Sequence, residues 1–258
     1  MVKQPISLTP LKVSVLARCP LHYHFLQQSP PSPEPVEVLV RRAVQQLHAA
    51  GGPARRPLAD CLQPLTGHPE ARLMVERYYH RLEQDWPKTI AANETMELKI
   101  SLAGVSLLLT ATVDRLDKTS DGGILAVLIR IGHSPLPTET DLRQDHAMTI
   151  FHALVAATYP LKRPVRLQQL WLQLDESVTI ELSEDEYRRK LSDLREPVRA
   201  LARGEVMARP GLHCEECPFK HRGCPVYAHE TDDHASPDDL VHPPQRGKIP
   251  SRKWIFKI

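Results

Sequence analysis

The sequence lacks any long apolar run. No stretch approaches the ~20 residues that cross a bilayer as a helix, and Met1-Val-Lys-Gln-Pro-Ile-Ser7 has no apolar core of the kind that directs secretion. The expectation is a cytoplasmic protein with no membrane partner, in a compartment that disfavours disulfides. An excess of one charge is also missing. The formal net charge is +2, with 25% charged residues, so the overall balance does not announce a nucleic-acid binder. Internal repeats are absent. Cysteine is sparse, at five residues in 258, and three of the five fall in one short loop.

That loop, Gly211-Leu-His-Cys-Glu-Glu-Cys-Pro-Phe-Lys-His-Arg-Gly-Cys-Pro225, carries Cys214, Cys217 and Cys224. Thiolates held this close repel one another unless a soft metal neutralises them. A tetrahedral site needs a fourth ligand, and the best candidate is Cys19, far upstream in Ala17-Arg-Cys-Pro20. With Cys19 in place, a metal centre would clamp the two ends of the chain together. Four-cysteine zinc and an iron–sulfur cluster use the same donors, and spacing alone does not separate them. Cys61, between Asp60 and Leu62 in a helical-looking segment, reads as a small buried hydrophobe.

What is abundant is ordinary core material and proline: 41% hydrophobic residues and 24 prolines. Thr9-Pro10 reads as a helix start, with a short helix delivering Cys19 and a second turn from Pro20 to Phe25. Ser29-Pro-Pro-Ser-Pro-Glu-Pro35 is a rigid linker. Helices are expected over 36–50, 57–62 and 69–86, the last with Leu73, Val75, Tyr78, Tyr79 and Leu82 as its apolar contacts. The period then changes. Residues 94–102 alternate, Val105 to Val113 forms a second strand running into Asp114-Arg-Leu-Asp117, and Ile124 to Ile131 is a buried central strand after the Asp121-Gly-Gly123 turn. A helix of about five turns follows over 142–159, then strands over 166–174 and 178–182. Ser183-Glu-Asp-Glu186 is a capping box opening a helix to Ala202, kinked at Pro197. The order predicts a mixed α/β domain with a helical part over about 9–90, a sheet core over about 93–182, and a helix and cysteine loop over 183–227. Residues 228–258 are expected to be a flexible linker, including His229-Glu-Thr-Asp-Asp-His234, with a basic and apolar tail.

Three of these pieces resemble the PD-(D/E)XK nuclease superfamily, and within it the RecB-type iron–sulfur branch that includes AddB-like helicase–nuclease subunits and CRISPR-adaptation nucleases. They are Leu8 to Pro20 with its cysteine, Val113-Asp-Arg-Leu-Asp117, and the loop of Cys214, Cys217 and Cys224. The likeness covers about Ser7 to Tyr227 and implies a restriction-endonuclease-like fold. It tilts the metal reading toward a [4Fe–4S] cluster held by Cys19, Cys214, Cys217 and Cys224, with structural zinc as the alternative.

The departures from the family pattern concentrate at one chemical site. The resemblance implies a strand aspartate and a D/E-x-K on the next strand, holding Mg²⁺ and the attacking water, because Mg²⁺ takes oxygen ligands. Asp114 matches the aspartate. The D/E-x-K place is occupied by Leu128-Ile-Arg130: Leu128 offers no oxygen, and the pKa of Arg130 is too high for it to act as a base. Arg41 stands near the family's upstream histidine, Ala147 and Phe151 near its Gln-x3-Tyr, and Ala111 where a glycine usually precedes the aspartate motif. Leu128 and Arg130 share a strand face; if Asp114 faces them, Arg130 pairs with it, either as a structural salt bridge or as part of a phosphate grip.

The expectation is therefore a nuclease fold that binds DNA ends or junctions without cutting, as a subunit of a recombination, repair or CRISPR-type complex. Phosphate contacts would come from Arg41, Arg42, Arg130, Lys220 and Arg222; Tyr23, Phe25 or Phe219 would either stack on bases or shield the metal centre from solvent. Two alternatives remain open. One is a docking subunit for a helicase or nuclease partner without DNA contact, anchored by Trp254, Ile255, Phe256 and Ile258, with folding of that tail back onto its own domain as the other reading of the segment. The other is an active nuclease with displaced ligands Asp114, Glu94 or Glu97, and Asp117.

Overall fold

The computed structural model describes residues 4–28, 35–132, 135–221, 224–227 and 254–257. The expected linker at 29–34, the His229–His234 cluster and Arg222 lie outside these residues.

Two sheets occur among the described residues. The large one orders its strands β1 (Ile6–Leu8), β3 (Val105–Lys118), β4 (Ile124–Arg130), β5 (Val165–Trp171) and β6 (Glu176–Glu181), with β2 (Thr89–Leu102) pairing along β3. It is mixed: β1–β3 and β4–β5 are parallel, and the other pairs antiparallel. β4 is the central strand that its unbroken apolar run implies. Ala126 and Leu128 enter one core and Val127 and Ile129 the other, as a strand buried on both faces must.

The first core lies under α1 (Pro10–Arg18) and α7 (His146–Thr158), with Leu194 and Val198 at its margin. The second lies under α3 (Pro35–Ala49), α4 (Leu58–Leu62) and α5 (Pro69–Gln84). The result is a three-layer α/β/α unit. Between α1 and α3 runs α2 (Pro20–Gln28). Cys61 is fully buried in the second core, as expected of a small hydrophobe.

Several expectations are corrected. The helix foreseen over 142–159 is two, α6 (Glu139–Gln144) and α7, because Asp145 turns extended and its side chain accepts the N–H of Ala147 as an N-cap. The long helix after the capping box is also two, α8 (Glu184–Asp193) and α9 (Arg195–Ala202). Pro197 sits in the first turn of α9, where its missing N–H costs no helical bond. Leu73 faces solvent, and α5 packs through Ala71, Met74, Val75, Tyr78, Tyr79 and Leu82. Three short strands had no readable pattern: β1, β7 (Glu205–Ala208) and β8 (Trp254–Lys257). β8 pairs antiparallel with β7, so the tail strand returns to its own chain.

The alternation of β3 is interrupted once. Leu107, Leu109, Ala111 and Val113 all enter the first core, but the next residue to do so is Leu116. The two-residue period slips at Asp114 and Arg115. The residue opposite Asp114 in the β2 register, Asn93, has φ +55, a left-handed conformation that asparagine tolerates. The slip turns Arg115 and Asp117 toward α5, where Arg115 bonds Asp117 at 2.8 Å and the Tyr78 hydroxyl.

Tyr78 Oη also lies 2.7 Å from His48 Nε2. Arginine only donates, so Tyr78 accepts from Arg115 while sharing a second hydrogen bond with His48. His48 is 5% exposed and stacks on Trp86 at 4.9 Å. Burial, followed by the charge of Arg115, pushes its pKa down to about 3. The unfolded chain thus binds a proton near pH 6.5 that the folded chain refuses. Stability is expected to fall as pH drops from about 6.5 toward about 3, with a contribution of up to ~1.4 kcal/mol per pH unit. Urea denaturation of the parent and of His48→Phe at pH 7 and pH 5 checks this: the variant should lose less stability across that interval.

Candidate active site and cysteine centre

The β3–β4 ladder runs from Lys118↔Ile124 to Arg115↔Val127 and stops. One residue further along β3 stands Asp114, 7% exposed. Its Oδ2 accepts the N–H of Ile129 at 2.7 Å, so a side chain takes over where the backbone ladder ends and the two strands fork. Into the fork comes Arg41 from α3. Its Nη1 donates to both Asp114 oxygens, at 2.8 and 3.0 Å, and its Nη2 donates to the Ile129 carbonyl at 2.6 Å. Glu37, one turn earlier, accepts from Nη2 at 2.9 Å and Nε at 3.1 Å. Burial works against the charged guanidinium, but Asp114 and Glu37 outweigh it and hold its pKa above the ordinary value.

The expected partner of Asp114, Arg130, is thus replaced by Arg41. The reason is layering. Leu128 and Arg130 do share a face, but it is the face toward α1 and α7; Leu128 is 1% exposed in the first core. Arg41 arrives from the α3 layer and closes the fork from the other side. Arg130 is half-buried and lines a cavity of about 420 Å³ with Thr9, Ser14, Arg18, Thr112 and Phe151 among its walls. Ala147 and Phe151, standing near the expected Gln-x3-Tyr positions, are apolar lining of the same cavity.

The other acidic residues do not converge on Asp114. Glu94 accepts the Tyr159 hydroxyl at 2.6 Å. Asp117 is held by Arg115 and by Thr89 at 3.0 Å, and Glu97 is exposed. Among the described residues no three His, Cys, Asp or Glu side chains come to single-ion spacing. Of the other basic residues singled out in the sequence, Arg42 is exposed on α3, and Lys220 lies 5.1 Å from the centre of the Tyr227 ring.

One clasp has no counterpart among the sequence expectations. Ser14 of α1 donates to Asp145 and accepts the N–H of Ala147 at 2.9 Å, tying α1 to the start of α7. Asp145 before the apolar run of α7 was the available signal, as an N-cap.

The four cysteines line one space without reaching single-ion spacing. Cys19 is the C-cap of α1, 9% exposed, and it lines one small cavity together with Cys214, Cys217 and Cys224. None is in a disulfide. The turn Cys214–Cys217 is closed by a backbone bond of 3.3 Å, and Cys224 N–H reaches the Phe219 carbonyl at 3.1 Å. Phe25 and Phe219, 5.0 Å apart, form part of the cavity wall with His22 and Tyr227. Of the rings expected to stack on bases, Tyr23 is 1% exposed and bonded to Gln27, whereas Phe25 and Phe219 are half-buried and tilted against each other. Burial raises the Cys224 thiol pKa, with neighbouring Cys19 and Cys214 adding to the effect. Cysteine thiolates are the donor type that zinc and iron–sulfur clusters use.

A family model described as the PD-(D/E)XK nuclease superfamily matches residues 7–225. Among solved structures the chain is similar to the protein SSO0001, at 15% identity over 88% of this chain and 89% of that one, with a TM-score of 0.47. It is also similar to an exonuclease candidate from Eubacterium rectale, at 11% identity over 76% and 80%, with a TM-score of 0.49. No curated protein matches. No helix among the described residues is long and apolar enough to cross a membrane.

Removing Arg41 leaves a buried carboxylate without its cation. Arg41→Leu is expected to cost about 3 kcal/mol. Adding Asp114→Asn should recover part of that loss, since a neutral amide can still accept from Ile129. Urea denaturation of the two single variants and the double variant measures the coupling.

Proposed function

Because the chain belongs to the PD-(D/E)XK nuclease superfamily, we propose that it is a RecB-like member that has given up metal-dependent cutting and kept DNA binding, as a subunit of a recombination, repair or CRISPR-type assembly. The observation that carries this reading is the Arg41 guanidinium, bonded at once to the Asp114 carboxylate and the Ile129 carbonyl. Those three oxygens are hard donors of the type a divalent cation uses. A side chain that cannot dissociate already neutralises them. Leu128 adds no further oxygen, and Arg130 holds its proton too firmly to serve as a base.

DNA binding in this reading rests on Arg42, Arg130, Lys220 and Arg222, through phosphate contacts that weaken steeply with salt. Residues 1–227 form the binding unit. Cys19, Cys214, Cys217 and Cys224 hold a [4Fe–4S] cluster that joins its two ends, with structural zinc as the alternative occupant. The cluster's contribution is mechanical: it ties α1 to the segment after β7. The return of β8 to β7 weighs against the tail as a partner's anchor. The alternative with displaced ligands is disfavoured because Asp114, Glu94 and Asp117 are each engaged elsewhere.

Anaerobically purified protein is expected to bind single-stranded or junction DNA in a salt-dependent way and to release no product with Mg²⁺ or Mn²⁺. Cleavage that Asp114→Ala abolishes would overturn the inactive reading. The same preparation should be brown, with about four irons and four sulfides per chain, and Cys19→Ser should bleach it. One zinc and no colour would retain the clamp and exchange its metal.

A further inference from the structure

We propose that the cavity beside the Asp114–Arg41 fork seats the terminal phosphate of a DNA strand, gripped by Arg130 and Arg18 with no metal between. This deepens the DNA-binding reading and rests on it.

The cavity exists because of how β3 is paired. β1 leaves it after Leu109, and β4 joins it only at Arg115. Between those points no described strand pairs that edge, and Thr110, Ala111 and Thr112 form a wall of the space. The turn into α1 and the end of β4 close it on either side, contributing Thr9, Ser14 and Arg18, and Arg130.

Arg130 is the reason to expect an anion. Arg41, Arg115, Arg143 and Arg166 each have a carboxylate partner. The Arg130 guanidinium is half-buried and has no hydrogen bond or close ion pair with a described residue; burial and then the charge of Arg41 lower its pKa, and Asp114, Asp145 and Glu37 offset this only in part. A guanidinium taken partly from water without a partner is unfavourable until an anion arrives, and its planar fork matches two phosphate oxygens. Arg18, on the same wall, is exposed and likewise makes no ion pair with a described residue. The wall's one acid, Asp145, hydrogen-bonds Ser14 and the N–H of Ala147 at 2.9 Å, and its charge reaches Arg130 without forming an ion pair.

Size and charge then choose the end of a strand over its middle. A space of about 420 Å³ is on the scale of a small-ligand pocket, not of a groove that tracks a duplex. A terminal phosphomonoester carries about −1.5 to −2 at pH 7, which answers two guanidiniums, whereas an internal diester carries a single charge. Arg41 fills the neighbouring cation position, so the two arginines meet the phosphate directly.

The experiment uses the full chain and one oligonucleotide in three forms: 5′-phosphate, 3′-phosphate and unphosphorylated. Fluorescence anisotropy is read at a fixed salt concentration. One phosphorylated form should bind about tenfold or more tightly than the unphosphorylated form, equivalent to ~1.4 kcal/mol. That ratio should collapse toward one in Arg130→Gln and in Arg18→Gln, and Arg130→Lys should restore only part of it, because lysine lacks the planar fork. Arg18 is exposed, so Arg18→Gln keeps the test independent of any folding defect at Arg130. Equal affinity for all three forms overturns the seat and leaves DNA binding standing. Failure of every form to bind overturns both.

Discussion

The site depends on one guanidinium. Arg41 bonds Asp114, the Ile129 carbonyl and Glu37 together, where two neighbouring strands part. A fork in a sheet exposes backbone groups that need partners. Here Asp114 satisfies the Ile129 N–H, and Arg41 satisfies both the carboxylate and the Ile129 carbonyl. The same contacts bridge α3, β3 and β4, so the fork is held open and electrically balanced by one side chain. In the proposed reading this is how the fold keeps a buried aspartate after losing the ligands that would make it useful to a metal.

A second constraint acts at the other end of α1. Its last turn presents Cys19 to Cys214, Cys217 and Cys224 around one space. The surrounding cluster also contains Leu21, Val206 and Ala208, so the cysteine region, α2 and β7 pack as one unit. β8 then adds to β7. The start of α1 lines the cavity beside the fork. A single nine-residue helix therefore carries both the sulfur centre and a wall of the candidate phosphate seat, and the Ser14–Asp145 clasp ties it to α7 between them.

Local signals were reliable where the chemistry is local. Thr9-Pro10 starts α1, Ser183 and Glu186 form a capping box, and Ile124 to Arg130 is a strand buried on both faces. The errors have local causes as well. The apolar periodicity of 142–159 concealed Asp145, whose side chain caps a new helix. β1 and β7 are three and four residues long, too short to establish a period, and they exist only because a neighbouring strand pairs with them.

By itself the sequence determined the mixed α/β order, the four cysteines, and an apolar residue at Leu128, because residue type and spacing carry that information. It could not determine which arginine meets Asp114. Arg41 and Arg130 are both plausible by charge, and the choice turns on which layer each approaches from and on the slip in β3 at Asp114. Those are properties of three packed layers and a strand register spanning distant segments. For the same reason only the tertiary structure could show Cys19 lining one space with the C-terminal loop, and set the Arg130 guanidinium on the wall of a cavity with no ion pair among the described residues.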